Sequence, residues 1–81
     1  MKNRICIIGI VVQNRKESAS KINHVLGDFG EIIVGRMGIP YRQKKLSIIT
    51  ILADGTNDQI GALTGKLGQI KEVKVKSAIL I

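Results

Sequence analysis

Aromatic residues are almost absent from this sequence: Phe29 and Tyr41 are its only two, and there is no tryptophan. Modules that bind single-stranded nucleic acid stack successive bases on aromatic side chains, and most of that equipment is missing here. Negative charge is also scarce, because there are only six acidic residues against 13 lysines and arginines, which gives a formal net charge of +7. A nucleic-acid function would therefore have to rely on contacts between basic side chains and phosphates.

Cysteine and histidine occur once each, as Cys6 and His24. A single cysteine cannot form an internal disulfide, and two such ligands without a spacing motif fall short of a structural zinc site, although a symmetric oligomer could double them. We expect no bound metal and no cofactor, with Cys6 as a buried thiol and His24 as a solvated helix residue. The acids Glu17, Asp54 and Asp58 lie at expected helix starts, where the helix dipole favours negative charge. We therefore predict no catalytic residues and a non-enzymatic protein.

Long apolar runs are missing as well. The longest, such as residues 5–12, are far below the ~20 residues that span a bilayer, and no signal-peptide layout is visible. The 81 residues are 44% hydrophobic and include 15 isoleucines, which excludes a disordered polybasic tail. We expect one folded domain over residues 1–81, located in the cytoplasm and without a membrane partner.

The pattern of apolar residues predicts three elements in the first half of the chain. The β-branched run over residues 4–12 indicates a strand that is buried on both faces. A helix should follow from Asn14, which can cap it with Glu17 as in a capping box, and Gly30 suits the position after the helix. Residues 31–38 alternate as a second strand.

The second half predicts another strand, helix and strand. Pro40 cannot donate a hydrogen bond to a β-ladder, so residues 39–44 are interpreted as a connection before a strand over residues 46–53. Thr56 and Gln59 repeat the capping-box signature at the start of a second helix. A last strand over residues 72–81 completes the order βαββαβ.

This order is that of the ferredoxin-like plait, an α+β fold in which a four-stranded antiparallel sheet carries two helices on one face. The first and third strands should be central because they are almost purely apolar, while Arg36, Lys74 and Lys76 fall on the edge strands. One apolar sheet face would then stay uncovered. We therefore predict a homo-oligomer, formed by stacking of sheet faces or by edge pairing, with the charged edges slightly favouring the face contact.

Glycine recurs in residues 61–68, which invites comparison with a phosphate-binding loop. Only three residues separate Gly61 from Gly65, and Leu67 stands where such a loop has serine or threonine after its lysine. The segment also lies inside the predicted second helix. We interpret these glycines as positions of close helix packing.

Two groups of residues are candidates for binding. The first is a basic run without acids that could contact a partner or an anion: Arg36, Tyr41, Arg42, Lys44 and Lys45. The second would bind a small ligand such as a carboxylate: Gln13, Asn14 and Arg15 at the start of the first helix, with Gly27 and Gly30 at its other end. The two ends could meet only across neighbouring subunits, and a solvated loop or a capped turn is the simpler interpretation of either group.

Three segments carry a resemblance to a known family: residues 35–41 (Gly-Arg-Met-Gly-Ile-Pro-Tyr), 54–56 (Asp-Gly-Thr) and 61–68. With them the sequence resembles the iron-only hydrogenase system regulators over essentially its whole length. The resemblance implies an ACT-like domain, similar in shape to amino-acid-sensing regulatory domains and to the metal-sensing half of nickel-responsive repressors.

The sequence also departs from these relatives. Residues 13–17 stand where amino-acid-binding ACT domains have an Asp-x-Pro-Gly turn, and one histidine cannot reproduce the nickel site. Residues 1–3 hold no ribbon or helix-turn-helix segment before the first strand, so we expect any direct DNA recognition to use the domain's own surface. We predict a non-enzymatic regulatory or oligomerisation domain that binds itself and a small ligand or protein partner. The alternative is a small basic nucleic-acid-binding protein that uses residues 36–45.

Overall fold

The computed structural model describes residues 2–13 and 15–81, and of Arg15 the backbone alone. Four strands, two helices and one short 3-10 turn follow one another in the predicted order. They are β1 (Arg4–Val12), α1 (Arg15–Asp28), β2 (Ile33–Tyr41), the 3-10 turn (Arg42–Lys44), β3 (Leu46–Gly55), α2 (Asn57–Gly68) and β4 (Val73–Ile79). Neither helix in this part of the chain is long and apolar enough to cross a membrane.

The strands form one sheet in the order β2-β3-β1-β4, and every neighbouring pair is antiparallel. β1 and β3 are central and β2 and β4 are the edges, as the hydrophobic pattern predicts. The ferredoxin-like plait is therefore confirmed. Central strands are buried by neighbours on both sides, which explains why their sequences tolerate almost no charge.

The core lies between the helices and one face of the sheet, which we call the inner face. β1 contributes alternate residues to it, and Cys6, Ile8 and Ile10 have no exposed surface. Ile22 and Leu26 of α1 pack against the same layer. Each fully buried aliphatic side chain contributes about 1.5–3 kcal/mol, so these few contacts supply much of the stability of so small a chain. From the remaining elements the core takes Ile51, Ala53, Ile60, Leu63 and Leu67.

The opposite face of the sheet, which we call the outer face, is covered by no element in the part of the chain that the structure describes. It is apolar at its centre and at the β2 side, and it carries Lys74 and Lys76 on β4. Met37 is 58% exposed and Ile39 is 49% exposed. The two-sided apolar character that the sequence predicts for the sheet is thus present. Its apolar members are Ile5, Ile7, Val11, Met37, Ile39, Tyr41, Leu46, Ile48 and Leu52.

β2 differs from the prediction in its bounds, which are Ile33–Tyr41 rather than 31–38, and in its register. The predicted connection over residues 39–44 is wrong for its first three residues, because Pro40 lies within β2 opposite Ser47. An edge strand tolerates proline, since half of its amide groups face away from the sheet. A bulge also shifts the register between Ile33 and Gly35. Strict alternation would place Ile33, Gly35 and Met37 on one face, but Ile33 lies on the inner face while Gly35 and Met37 lie on the outer face.

The cap of α2 is confirmed. The hydroxyl of Thr56 accepts from the amide of Gln59 at 3.1 Å, and the side-chain oxygen of Gln59 accepts from the amide of Thr56 at 2.9 Å. β3 runs on to Gly55, two residues beyond the predicted end. The predicted cap at Asn14 lies outside the described residues.

The glycines of α2 correct another interpretation. Gly61, Gly65 and Gly68 are exposed, and a β-carbon at any of them would meet no atom within 4 Å. They therefore do not serve close packing. Gly55 is different, because a β-carbon there would lie 3.0 Å from the side-chain oxygen of Gln59 and 3.2 Å from Ile32.

The open environment of the α2 glycines and the crowded environment of Gly55 predict opposite effects of substitution by alanine on stability. Gly61→Ala and Gly65→Ala should each raise the free energy of unfolding by about 0.5–1 kcal/mol, because alanine restricts the unfolded chain and fits an exposed helix interior. Gly55→Ala should lower it by about 1–3 kcal/mol through overpacking. Urea denaturation at one fixed protein concentration measures all three variants. Destabilisation by Gly61→Ala would show that α2 is packed in a way the structure does not describe.

Candidate functional site

A groove of about 230 Å³ lies between α1 and the edge strand β2, on the inner side of the sheet. We call it the α1–β2 groove. Its walls come from one side of α1, from four residues of β2 and from the ends of β1 and β3. The lining residues are Val12, Ala19, Asn23, Arg36, Gly38, Ile39, Pro40, Ser47 and Ile49.

The groove exists because small residues face one another across it. Ala19 of α1 stands over Gly38 and Pro40 of β2, and none of the three has a long side chain. Gly38 is paired with Ile49 of β3, whose side chain forms part of the floor. The helix layer therefore leaves space above the edge strand that the core residues do not fill.

Arg36 brings the one charged side chain among the lining residues into the groove. It is paired with Ile51 of β3 on the inner face, and its guanidinium donates a hydrogen bond of 3.1 Å to the side-chain oxygen of Asn23. Within the described part of the chain, no carboxylate lies within 4 Å of it. A guanidinium has five donors in a planar fork, so most remain available for a carboxylate or phosphate group.

The predicted ligand residues lie at both ends of α1. Gln13 follows Val12 of β1, and its backbone amide donates to the carbonyl of Glu72 at 3.2 Å. It lies beside Glu72 and Val73 and does not line the groove. Asn14 and the side chain of Arg15 lie outside the described structure. Gly27 is in the last turn of α1 and Gly30 follows the helix. A helix of 14 residues is about 21 Å long, so one chain does not bring the two ends together.

The basic run is divided among three places. Arg36 lines the α1–β2 groove, and Tyr41 lies at the β2 end of the outer face, opposite Leu46. Arg42 and Lys44 form the 3-10 turn, and Lys45 ends it in a left-handed conformation with φ of 55°. The last three are all exposed and form a separate basic turn. The five residues therefore do not make one continuous contact surface.

Cys6 and His24 are not brought together. Cys6 is fully buried on the inner face of β1, whereas the side chain of His24 is 80% exposed on α1, 3.6 Å from Asp28. Among the residues that the structure describes, no group of three or more histidine, cysteine, aspartate or glutamate residues is placed to hold a metal ion.

Sequence reasoning missed the pairing of Asn23 with Arg36. Helical spacing places Asn23 four residues after Ala19, on one side of α1, and that signal was available from the sequence. The partner strand was not, because the bulge between Ile33 and Gly35 changes which residues of β2 share a face. No local pattern marks such a bulge, since it depends on pairing with β3.

Comparison with known proteins gives a consistent result. The TM1266-like family, described as "Iron-only hydrogenase system regulator, putative", matches residues 4–77. The solved structure of the uncharacterized protein TM1266 from Thermotoga maritima is 41% identical, with a TM-score of 0.94 over 99% of this chain and 100% of that one. None of the curated proteins matches the chain.

A more distant structure carries the same fold. The ACT domain from the GTP pyrophosphokinase of Chlorobium tepidum is 18% identical, with a TM-score of 0.78 over 95% of this chain and 100% of that one. The fold is therefore ACT-like.

Arg36 is expected to matter little for folding. Its hydrogen bond to Asn23 is exposed, so Arg36→Gln should change the free energy of unfolding by less than about 0.5 kcal/mol. Ile51→Ala, at the fully buried position paired with Arg36, should cost about 2–5 kcal/mol. Urea denaturation compares the two. If Arg36→Gln lowered the free energy of unfolding by more than about 1 kcal/mol, the Arg36 side chain would have a role in stability rather than in a binding site.

Proposed function

Since the chain belongs to the family of iron-only hydrogenase system regulators and has an ACT-like fold, we propose that it is a non-enzymatic, homo-oligomeric regulatory domain. It binds a small anionic ligand in the α1–β2 groove. The observation that carries the ligand assignment is Arg36, a charged side chain aimed into a groove of small residues with no carboxylate partner within the described chain.

The groove suits a small molecule rather than a macromolecule. Its volume of about 230 Å³ is below the usual range for drug-sized ligands, which favours a compact metabolite. Val12 and Ile49 offer apolar contacts, while Arg36 and Asn23 offer donors at one wall. A short organic acid with an apolar side chain has the matching chemistry.

The oligomer rests on the outer face. Monomeric proteins rarely expose a continuous apolar patch of more than a few hundred Å², and here both central strands and β2 contribute to one. Stacking of two outer faces would bury Ile48 and Leu52 at its centre and leave Lys74 and Lys76 at the rim, where charge costs little. A cytoplasmic setting accords with a free, buried cysteine.

Ligand binding can be tested on one arginine. Native mass spectrometry of the untagged protein detects any organic acid that is retained through purification. If none is retained, a ligand is sought by measuring the shift in Tm with a panel of amino acids and small organic acids. Arg36→Gln should weaken binding at least about tenfold, because a charged hydrogen bond contributes about 1.5–3 kcal/mol.

The matched control is Arg42→Gln, the same change in the basic turn, which should leave the affinity unaltered. An equal loss of affinity in both variants would show that the ligand responds only to the net charge of the protein. Binding that survives Arg36→Gln would place the ligand elsewhere.

The spectrum of the same sample reports subunit number. We expect a homo-oligomer that Ile48→Lys converts to monomers, because it places a charge at the centre of the outer face. Val34→Lys makes a similar change at a residue that is 63% exposed at the β2 bulge, and it should leave the oligomer intact. Disruption by Val34→Lys alone would favour edge pairing through β2, and a monomeric wild type would exclude the proposed assembly.

A second candidate function rests on the basic turn. Arg42, Lys44 and Lys45 are exposed, and no acid occurs between residues 36 and 45. If the chain binds nucleic acid there, affinity should fall steeply with salt, and Arg42→Gln/Lys44→Gln/Lys45→Gln should abolish it without changing subunit number. Gel-shift titration at two salt concentrations measures this. Nucleic-acid affinity retained by the triple variant would show that the basic turn is not the contact.

A further inference from the structure

A second concave surface lies on the solvent side of the helix layer, between α1 and the end of α2. Its volume is about 830 Å³, and we call it the α1–α2 cleft. Three lysines surround it: Lys21 from α1, Lys66 from the last turn of α2, and Lys71 from the segment that follows. Val25 and Ile70, both half-buried against the core, form an apolar floor.

Contacts hold the backbone of Lys71 and the ammonium of Lys66. The carbonyl of Lys71 accepts a 3.0 Å hydrogen bond from the hydroxyl of Ser18, a buried polar residue of α1 that is 4% exposed. This bond fixes the segment after α2 against α1. The ammonium of Lys66 lies 5.6 Å from the centre of the Phe29 ring, within the range of a cation–π contact. Lys21 stands one helical turn before Val25, on the same side of α1.

The cleft also has an excess of positive charge. The one acid among its lining residues is Asp28, which lies 3.6 Å from the ring nitrogen of His24. In the described part of the chain no carboxylate is within 4 Å of any of the three lysines. Like charges around one concavity repel one another, and a ligand with several negative charges would relieve that repulsion.

We infer that the α1–α2 cleft binds a small molecule that carries two or more phosphate groups together with an apolar portion, such as a nucleoside diphosphate. Ammonium groups bind phosphate oxygens as point charges, and three of them match more than one phosphate group. The floor of Val25 and Ile70 supplies the apolar contact, and the volume lies within the usual range of small-molecule sites.

The cleft fits a small ligand better than a nucleic-acid strand. Strand-binding grooves present aromatic side chains for base stacking, and Phe29, half-buried beneath Lys66, is the one such residue near the cleft. The site lies on the other side of α1 from the α1–β2 groove and shares no lining residue with it. The inference therefore does not rest on the proposed function.

The test is a titration of the full chain with ADP, in which binding is measured by calorimetry and by amide NMR spectra. ADP should bind with saturation and shift the amide signals of Val25 and Ile70. Adenosine lacks the phosphate groups and inorganic pyrophosphate lacks the nucleoside, so each should bind at least about fivefold more weakly than ADP. Lys21→Gln/Lys66→Gln/Lys71→Gln should weaken ADP binding about tenfold or more, since each exposed ion pair contributes a factor of about two to five.

Two variants control for net charge and for folding. Lys45→Gln/Lys74→Gln/Lys76→Gln removes the same charge from the basic turn and the outer face, and it should keep the ADP affinity within about twofold. Lys21→Arg/Lys66→Arg/Lys71→Arg keeps the charge and should retain most of the binding. Arg36→Gln should leave ADP binding unchanged, which separates this site from the α1–β2 groove.

Three results would overturn the inference. One is the absence of saturable ADP binding at millimolar concentrations. Another is equal loss in the two glutamine triple variants, which would show attraction to net charge alone. The third is an oligonucleotide that binds the cleft more tightly than ADP and shifts the same amide signals, which would make the cleft a nucleic-acid contact.

Discussion

The alternation of β1 is the constraint on which the rest of the structure depends. One set of its residues, from Cys6 to Val12 in steps of two, is at most 2% exposed beneath the helices. The other set faces away from them, and two of its members, Ile7 and Val11, pair with Leu52 and Ile48 of β3. Because a strand has two faces and two helices cover only one, a fully apolar central strand obliges the molecule either to expose apolar surface or to find a partner.

The same geometry determines where sites can form. Helix α1 lies above the sheet and does not fill the space over the edge strand β2, so a groove remains on that side. On its other side α1 meets α2, and the segment after α2 is tied to it by the Ser18 hydroxyl. The helix thus separates two concavities with different chemistry: one is small with a single guanidinium, and the other is larger with three ammonium groups.

Much of the fold could be predicted because its signals are local. The bounds of β1, the central places of β1 and β3, and the capping box of Thr56 and Gln59 all follow from hydrophobic alternation and short-range hydrogen bonding. The errors occur where the environment of a residue depends on tertiary structure. Pro40 belongs to β2 because that strand is at an edge, and Gly61 and Gly65 turn out to face open space rather than a packing partner.

The sequence by itself determined the order of elements and the two-sided apolar sheet, because these depend on residue type and on periods of two and 3.6 that any segment carries within itself. The family was indicated separately, by the resemblance of three short segments. Only the tertiary structure decided that Arg36 meets Asn23, that the basic run is divided among three places, and that Lys21, Lys66 and Lys71 surround one cleft. Those arrangements depend on a β-bulge and on the packing of α1 against α2, which join residues far apart in the chain. The physical reason is that a local period specifies which way a side chain points, whereas strand register and helix packing specify what it meets.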